Sequence, residues 1–210
     1  RCGATTSNIK GIEAAEFPVI PLGGDADVAV PGRIFKEMIN QTVFAAAKED
    51  NRPILTGVYM QFDGNVMTMA AADGYRLAVR TTEIEQHFAR PVDMVVPARA
   101  LSEIGRIIGD EDEAVTITLP TDRAIVLFHM KQTDVATQLL EGKFPDFSAI
   151  IPRSYVTSTV MYTSDLLAAC KRAEIFARDS AFSATILVKP AAGPGEPGAV
   201  RIAGRSAERG

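Results

Sequence analysis

Cysteine, histidine and long apolar runs are scarce in this sequence of 210 residues. Its two cysteines, Cys2 and Cys170, lie far apart with no metal-like spacing. Neither a disulfide framework nor a thiolate metal site is expected, and a reducing cytoplasm fits best. Its two histidines, His87 and His129, are isolated. Neither has a Cys, Ser or carboxylate at a spacing that suggests a triad or a metal site. No apolar run approaches the roughly 20 residues of a membrane-crossing helix, and no basic start followed by a short apolar stretch reads as a signal peptide. Glycine is present without forming a phosphate loop. Gly23-Gly24-Asp25 reads as a linker, and Pro194 and Pro197 interrupt the second glycine cluster where a phosphate loop needs free N–H groups. No cofactor and no metal is expected.

What is present is ordinary for a globular chain: 47% hydrophobic and 23% charged residues, with a formal net charge of −4. The length suits one sizeable core, or one domain and part of another. The chain opens on Arg1 and closes on a polar stretch, 204–210, so it reads as a segment of something longer. An acidic balance argues against nucleic-acid binding only if the basic residues are scattered.

They are not scattered, because the chain repeats. Three short apolar strands run into amphipathic helices. Val28-Ala29-Val30-Pro31 leads to Phe35 and Met38, Met94-Val95-Val96-Pro97 leads to Leu101 and Ile104, and Val160-Met161-Tyr162-Thr163 leads to Leu167 and Cys170. The junctions Pro31, Pro97 and Thr163 are 66 residues apart, twice over. Proline suits a helix start because its missing N–H would be unpaired there. In the third copy Thr163, Ser164 and Asp165 are candidate caps. Strand-like runs follow each helix: 54–62, 66–72 and 75–82, then 114–119, 123–130 and 133–140, then 183–189 and 199–203. Asp63-Gly64-Asn65 and Thr121-Asp122 are predicted as turns. The fold class is therefore α+β, built from strand–helix–antiparallel-strand units, with helices over 31–48 and 97–108 packed side by side on one face.

In each helix the basic residues avoid the apolar stripe. Arg99 and Arg106 share a face opposite Leu101 and Ile104, and Lys171 and Arg178 repeat that spacing. Arg33, Lys36 and Lys48 fall together in the first copy. One such helix is a solvated face. Three in register point to one shared basic surface, to which Arg52 adds, able to pass a phosphate backbone without reading bases. The surplus acid, including Glu83, Glu85 and Asp110 to Glu113, falls in loops or strand ends.

Three further stretches carry a family resemblance. They are Asp50-Asn51-Arg52-Pro53-Ile54-Leu55-Thr56-Gly57-Val58, then Ala71-Ala72-Asp73-Gly74-Tyr75-Arg76-Leu77-Ala78, then Leu140-Glu141-Gly142-Lys143-Phe144-Pro145-Asp146-Phe147. In order and distance they resemble the middle domain of bacterial sliding clamps. The resemblance implies a tail of a first domain over 1–24, a complete middle domain over 25–153 and the opening of a third over 154–210. It implies a ring of helices around duplex DNA, formed by a head-to-tail homodimer of the full-length protein. The partners it implies are the DNA polymerase III catalytic subunit, the clamp loader and other repair and replication proteins. Their apolar peptides would enter a groove at Leu55, Ala72, Gly74, Tyr75, Arg76, Leu77, Pro145 and Ile150. Ala72 stands where the family often has threonine and Ala149 where it often has arginine. The rival reading is a nucleotide- or phosphate-processing enzyme using Asp73, Arg76 and the helix arginines.

Overall fold

In the computed structural model, residues 3, 4, 6, 8, 10–16, 26–49, 51–109, 113–119, 124–178, 183–193 and 196–204 are described. Gly23-Gly24-Asp25, Thr121-Asp122 and the acids 110–112 lie outside them. Two compact units divide the chain, Arg1–Ser148 and Ala149–Gly210.

In unit 1 the strand-to-helix junction occurs twice in the same conformation. β1 (Val28–Pro31) enters α1 (Gly32–Thr42) through Pro31 at φ −53°, ψ 127°. The end of β3 (Leu77–Pro97) enters α2 (Ala98–Ile107) through Pro97 at φ −52°, ψ 127°. Each proline caps its helix from an extended backbone, where its fixed φ costs nothing and no donor is lost. The strand before each helix pairs with the strand after the other helix. β1 is antiparallel to β4 (Ala114–Thr118), with Val30 opposite Val115. The end of β3 is antiparallel to the start of β2 (Gly57–Ala72), with Val96 opposite Val58. β5 (Ile125–Met130) and β6 (Thr133–Gln138) complete a four-stranded sheet in the order β1-β4-β5-β6.

This exchange brings both repeats into one core. Phe35 and Met38 of α1 and Leu101 and Ile104 of α2 are fully buried with Val58, Met60, Ile117 and Phe128. The Phe35 and Phe128 rings stack at 5.8 Å, joining the first helix to the second repeat's sheet. The helices lie side by side as expected. A Cβ added to Gly105 would stand 3.2 Å from Ile39 Cγ2, so the glycine permits the close approach.

Several local expectations need correction. Asp63-Gly64-Asn65 is not a hairpin turn: β2 runs through it, and the register shifts on both sides of Gly64. Gly64 absorbs the irregularity at φ 56°. Met67 and Met69 beyond it join the same core as Met60 and Phe62, so burial favours continuing the strand over turning it. The turn instead falls at 73–76. Glu83 and Glu85 stand exposed on β3 around buried Ile84, and His87 is also on that strand, so this stretch is not a loop. The first helix ends at Thr42, whose buried hydroxyl donates back to the Met38 carbonyl at 2.7 Å, and Val43–Ala45 tightens into a 3-10 turn. Pro53–Thr56 is likewise a 3-10 turn rather than strand.

Unit 2 contains α3 (Thr163–Ala177) and the antiparallel pair β7 (Ala184–Lys189) and β8 (Ala199–Gly204). No side-chain bond caps α3: Thr163 is already helical, and the amides of Asp165 and Leu166 both donate to the Tyr162 carbonyl at 3.1 Å. Among the described residues no helix is long and apolar enough to cross a membrane.

Candidate functional site

Two surfaces of unit 1 carry the residues singled out from the sequence. The first is the outer face of the helix pair. Arg33 and Arg99 occupy the same place, the second residue of their helices, and both are exposed. A cation in the first turn opposes the helix dipole, so these arginines do not serve helix stability. A groove of about 600 Å³ runs between the helices over Ile39 and Gly105, with Lys36, Asn40, Ser102 and Arg106 along it. Arg106 Nη1 donates to Glu103 Oε1 at 2.8 Å, an exposed pair that a phosphate can displace. Lys36 is otherwise engaged: its ammonium donates to the Ile108 carbonyl at 3.0 Å, where α2 ends. It therefore ties α1 to the negative end of the α2 dipole. Glu37 and Glu103 are exposed on the same helices, so acid is not confined to loops. Lys48 and Arg52 are exposed beyond the 3-10 turn. Lys171 and Arg178, also exposed, belong to unit 2. There Asp165 holds the place of Arg33 and Arg99 in the repeat.

The second surface is where two signature stretches meet. Leu55, Val95 and Phe144 form a small buried cluster, with Ile54, Tyr59, Leu140 and Phe147 packed against it. Tyr59 stacks on Phe144 at 5.5 Å and meets Phe147 edge-on at 5.9 Å. Burial, and secondarily the charge of Asp93, push the Tyr59 phenol above its ordinary pKa. The backbone fixes the arrangement: Leu140 N donates to the Val95 carbonyl at 2.9 Å, and Ala47 N to the Leu55 carbonyl at 2.8 Å. Leu55 thus packs with Phe144 in a buried cluster, and Pro145, next in sequence, is exposed. Ile150 is exposed in unit 2.

The 73–76 turn closes β2 onto β3. Asp73 Oδ1 accepts the amides of Tyr75 at 3.0 Å and Arg76 at 3.2 Å, and Oδ2 accepts Arg76 Nε at 2.9 Å. The Tyr75 amide first, then the Arg76 amide, its side-chain bond and its charge, hold the Asp73 carboxyl below the usual carboxylate range against partial desolvation. Gly74 adopts φ 93°, which a side chain would strain. Tyr75 is fully exposed at the tip, Leu77 and Ala72 are half-buried and paired, and the Arg76 guanidinium lies 5.9 Å over the Phe44 ring. Asp73 and Arg76 answer each other as parts of a turn, which accounts for both without chemistry.

Sequence reading missed Phe44 beside Arg76, because nothing local links the end of α1 to a hairpin 30 residues on. It also missed a polar line across three strands. His129 Nδ1 is 2.8 Å from Asp134 Oδ1, and Nε2 is 3.0 Å from Thr118 Oγ1. The hairpin register, with His129 opposite Asp134 across the Lys131-Gln132 turn, was the available signal. The order of groups matches a hydrolytic triad. Here, however, the hydroxyl is half-buried within a sheet whose amides are already paired, so the line stitches β4, β5 and β6 together. Among the described residues no group of three His, Cys, Asp or Glu could hold a metal ion.

Comparison with known proteins agrees with this architecture. The central-domain model of the DNA polymerase III beta subunit matches residues 29–146. The beta sliding clamp of Bacillus subtilis is 32% identical over 211 residues, covering 100% of this chain and 54% of that protein. That of Halalkalibacterium halodurans is 31% identical, covering 85% of this chain and 47% of its own length. The crystal structure of the Bacillus subtilis DNA polymerase sliding clamp superposes with a TM-score of 0.80 at 30% identity, over 97% of this chain and 55% of that one. The DNA polymerase III beta chain of Streptococcus pneumoniae shares the fold at a TM-score of 0.75 and 24% identity, over 96% of this chain and 55% of that one. The chain spans about half the length of the curated relatives it matches.

Proposed function

This chain belongs to the DNA polymerase III beta subunit family, and from that premise we propose that it serves as a non-catalytic processivity factor, encircling duplex DNA and tethering the polymerase to it. The observation that carries this reading is the helix pair: α1 and α2 side by side, each with an exposed arginine as its second residue, flanking a groove that Lys36 and Arg106 line. Charges placed by a repeat meet the repeating phosphates of a duplex without reading its bases. Arg33, Arg99 and Arg106 face the backbone, Lys48 and Arg52 extend the basic surface of unit 1, Lys171 and Arg178 give unit 2 basic charge of its own, and Lys36 both contributes charge and holds the helices together. The enzyme reading has no such support, since Asp73 and Arg76 are accounted for by their turn.

Residues 25–153 are the complete middle domain of two repeats in this reading, 1–24 the end of a preceding one, and 154–210 the first repeat of the next. Full-length subunits associate head to tail as a homodimer in the cytoplasm. The DNA polymerase III catalytic subunit, the clamp loader and other repair and replication proteins bind by apolar peptides. Leu77, Tyr75, Arg76, Gly74, Ala72 and Pro145 of unit 1 receive the peptide, and Leu55, buried with Phe144, supports that surface. Burying one apolar anchor contributes ~1.5–3 kcal/mol.

Fluorescence anisotropy with duplexes of unrelated sequence tests the DNA reading. Binding is expected to be weak, indifferent to sequence and steeply salt-dependent. Arg33→Glu combined with Arg99→Glu should lower the salt slope by about one for each phosphate no longer neutralised. A preference for one base sequence, or an unchanged slope, would sink the proposal. For the groove, calorimetry of an apolar polymerase peptide on the full-length protein should show most affinity lost in Leu77→Arg. Unchanged affinity would place the groove elsewhere.

A further inference from the structure

Phe44 is a large aromatic side chain left 57% exposed in unit 1. Ala45 and Ala46 beside it are buried, so the small residues just past α1 take the core side of the chain and the ring is left outside. Single exposed apolar side chains are ordinary on a folded surface. This one is distinguished by what lies on it: the guanidinium carbon of Arg76 stands 5.9 Å over the ring centroid, within reach of a cation–π contact. The two residues come from different elements, the 3-10 turn that follows α1 and the turn that closes β2 onto β3. Arg76 is also held from a second direction. Its Nε donates to Asp73 Oδ2 at 2.9 Å. A guanidinium presents N–H donors along every edge of its plane. Among the described residues only the Nε donor has an acceptor, and the side chain is 49% exposed, so the Nη edge is open to an acceptor from outside.

We propose that Phe44 is a positioning residue for partner-peptide recognition: its ring holds the Arg76 guanidinium so that the Nη edge is ready for a carboxylate or carbonyl oxygen of the peptide. The proposal rests on the reading of the 72–77 segment as part of the peptide surface. Asp73 alone does not fix the guanidinium. A single hydrogen bond at Nε leaves the plane able to pivot about the line from Nε to Oδ2, and a ring against the guanidinium carbon removes that freedom. Arginine carries much rotamer entropy, so a side chain ordered before the peptide arrives loses less of it in the complex. The role needs an aromatic ring rather than any apolar group, because the attraction comes from the negative face of the π-system. It also makes peptide recognition depend on where α1 stops, since the buried Thr42 hydroxyl and the turn after it set where Phe44 emerges.

The test compares Phe44→Leu, which keeps an apolar side chain without the ring face, with Phe44→Tyr, which keeps the face. The first readout needs no peptide. In NMR of the 210-residue chain, the Arg76 Nε–H signal should shift in Phe44→Leu as the ring current is lost, and stay in place in Phe44→Tyr. A signal unmoved by Phe44→Leu would overturn the positioning. The second readout is calorimetry of an apolar polymerase peptide on the full-length protein. Phe44→Leu should weaken binding about two- to fivefold, the fold-change equivalent to an exposed cation–π contact, and Phe44→Tyr should bind as the parent does. In an Arg76→Gln background Phe44→Leu should cost nothing further. A loss of the same size in that background would mean that Phe44 acts by its own contact with the peptide, and would overturn the proposal. Leu77→Arg separates this inference from the reading beneath it. Unchanged affinity in Leu77→Arg fails the peptide surface itself, whereas a strong loss there with unchanged affinity in Phe44→Leu overturns the role of Phe44 alone.

Discussion

Unit 1 and unit 2 use the same sequence design and reach opposite ends. The helix that begins at Gly32 buries Phe35, Met38 and Ile39, while α3, with Leu167 and Cys170 at matching places, buries Ala173 and Ala177. The apolar stripe of α3 is less sharply segregated from its polar face than those of α1 and α2, and in unit 1 each stripe is received by the other repeat. A single strand–helix–strand unit cannot close a core in this architecture, because its own strands do not pair around its own helix. The hydrophobic contribution of each stripe is therefore a property of the pair of repeats.

The largest effect expected from this difference comes from truncating equivalent residues. Phe35→Ala removes a fully buried ring stacked on Phe128 and should cost ~3–5 kcal/mol in urea unfolding of unit 1. Leu167→Ala, at the same place in the third repeat, should change monomer stability by less than ~0.5 kcal/mol. Equal losses would break the comparison. A smaller effect sharpens it by separating core from surface in unit 1 itself. The Asp73 carboxyl is held below its ordinary pKa by the Tyr75 amide and then by Arg76. A depressed carboxylate contributes stability above its unfolded pKa, and that contribution is lost as pH falls through the lower folded value. NMR titration should show the Tyr75 and Arg76 amides shifting together below the usual carboxylate range, with the core signals of Phe35 and Phe128 unmoved. In Asp73→Asn that titration should vanish while the core signals stay. A core that follows the carboxyl would show that the turn, rather than the exchanged strands, closes unit 1.

The repeat of 66 residues, the helix starts and the stripes at Phe35, Leu101 and Leu167 were all legible as spacing, because helical periodicity is a local property. So was the sharing of a place by Arg33 and Arg99. Three things were not. Asp63-Gly64-Asn65 has the chemistry of a turn, and only the burial of Met67 and Met69 on the far side carries the strand through it. Lys36 reads as one more surface base until α2 ends beside it at Ile108. Leu55 reads as an open groove residue until Phe144, some 90 positions away, packs with it in a buried cluster.

The sequence by itself determined the units: where the helices start, which of their faces are apolar, which positions carry charge, and the family these choices mark. Only the tertiary structure decided which unit satisfies which. Local preference ends at the neighbouring residue, whereas burial and strand pairing are settled between segments far apart in the chain. The two repeats of unit 1 find each other there.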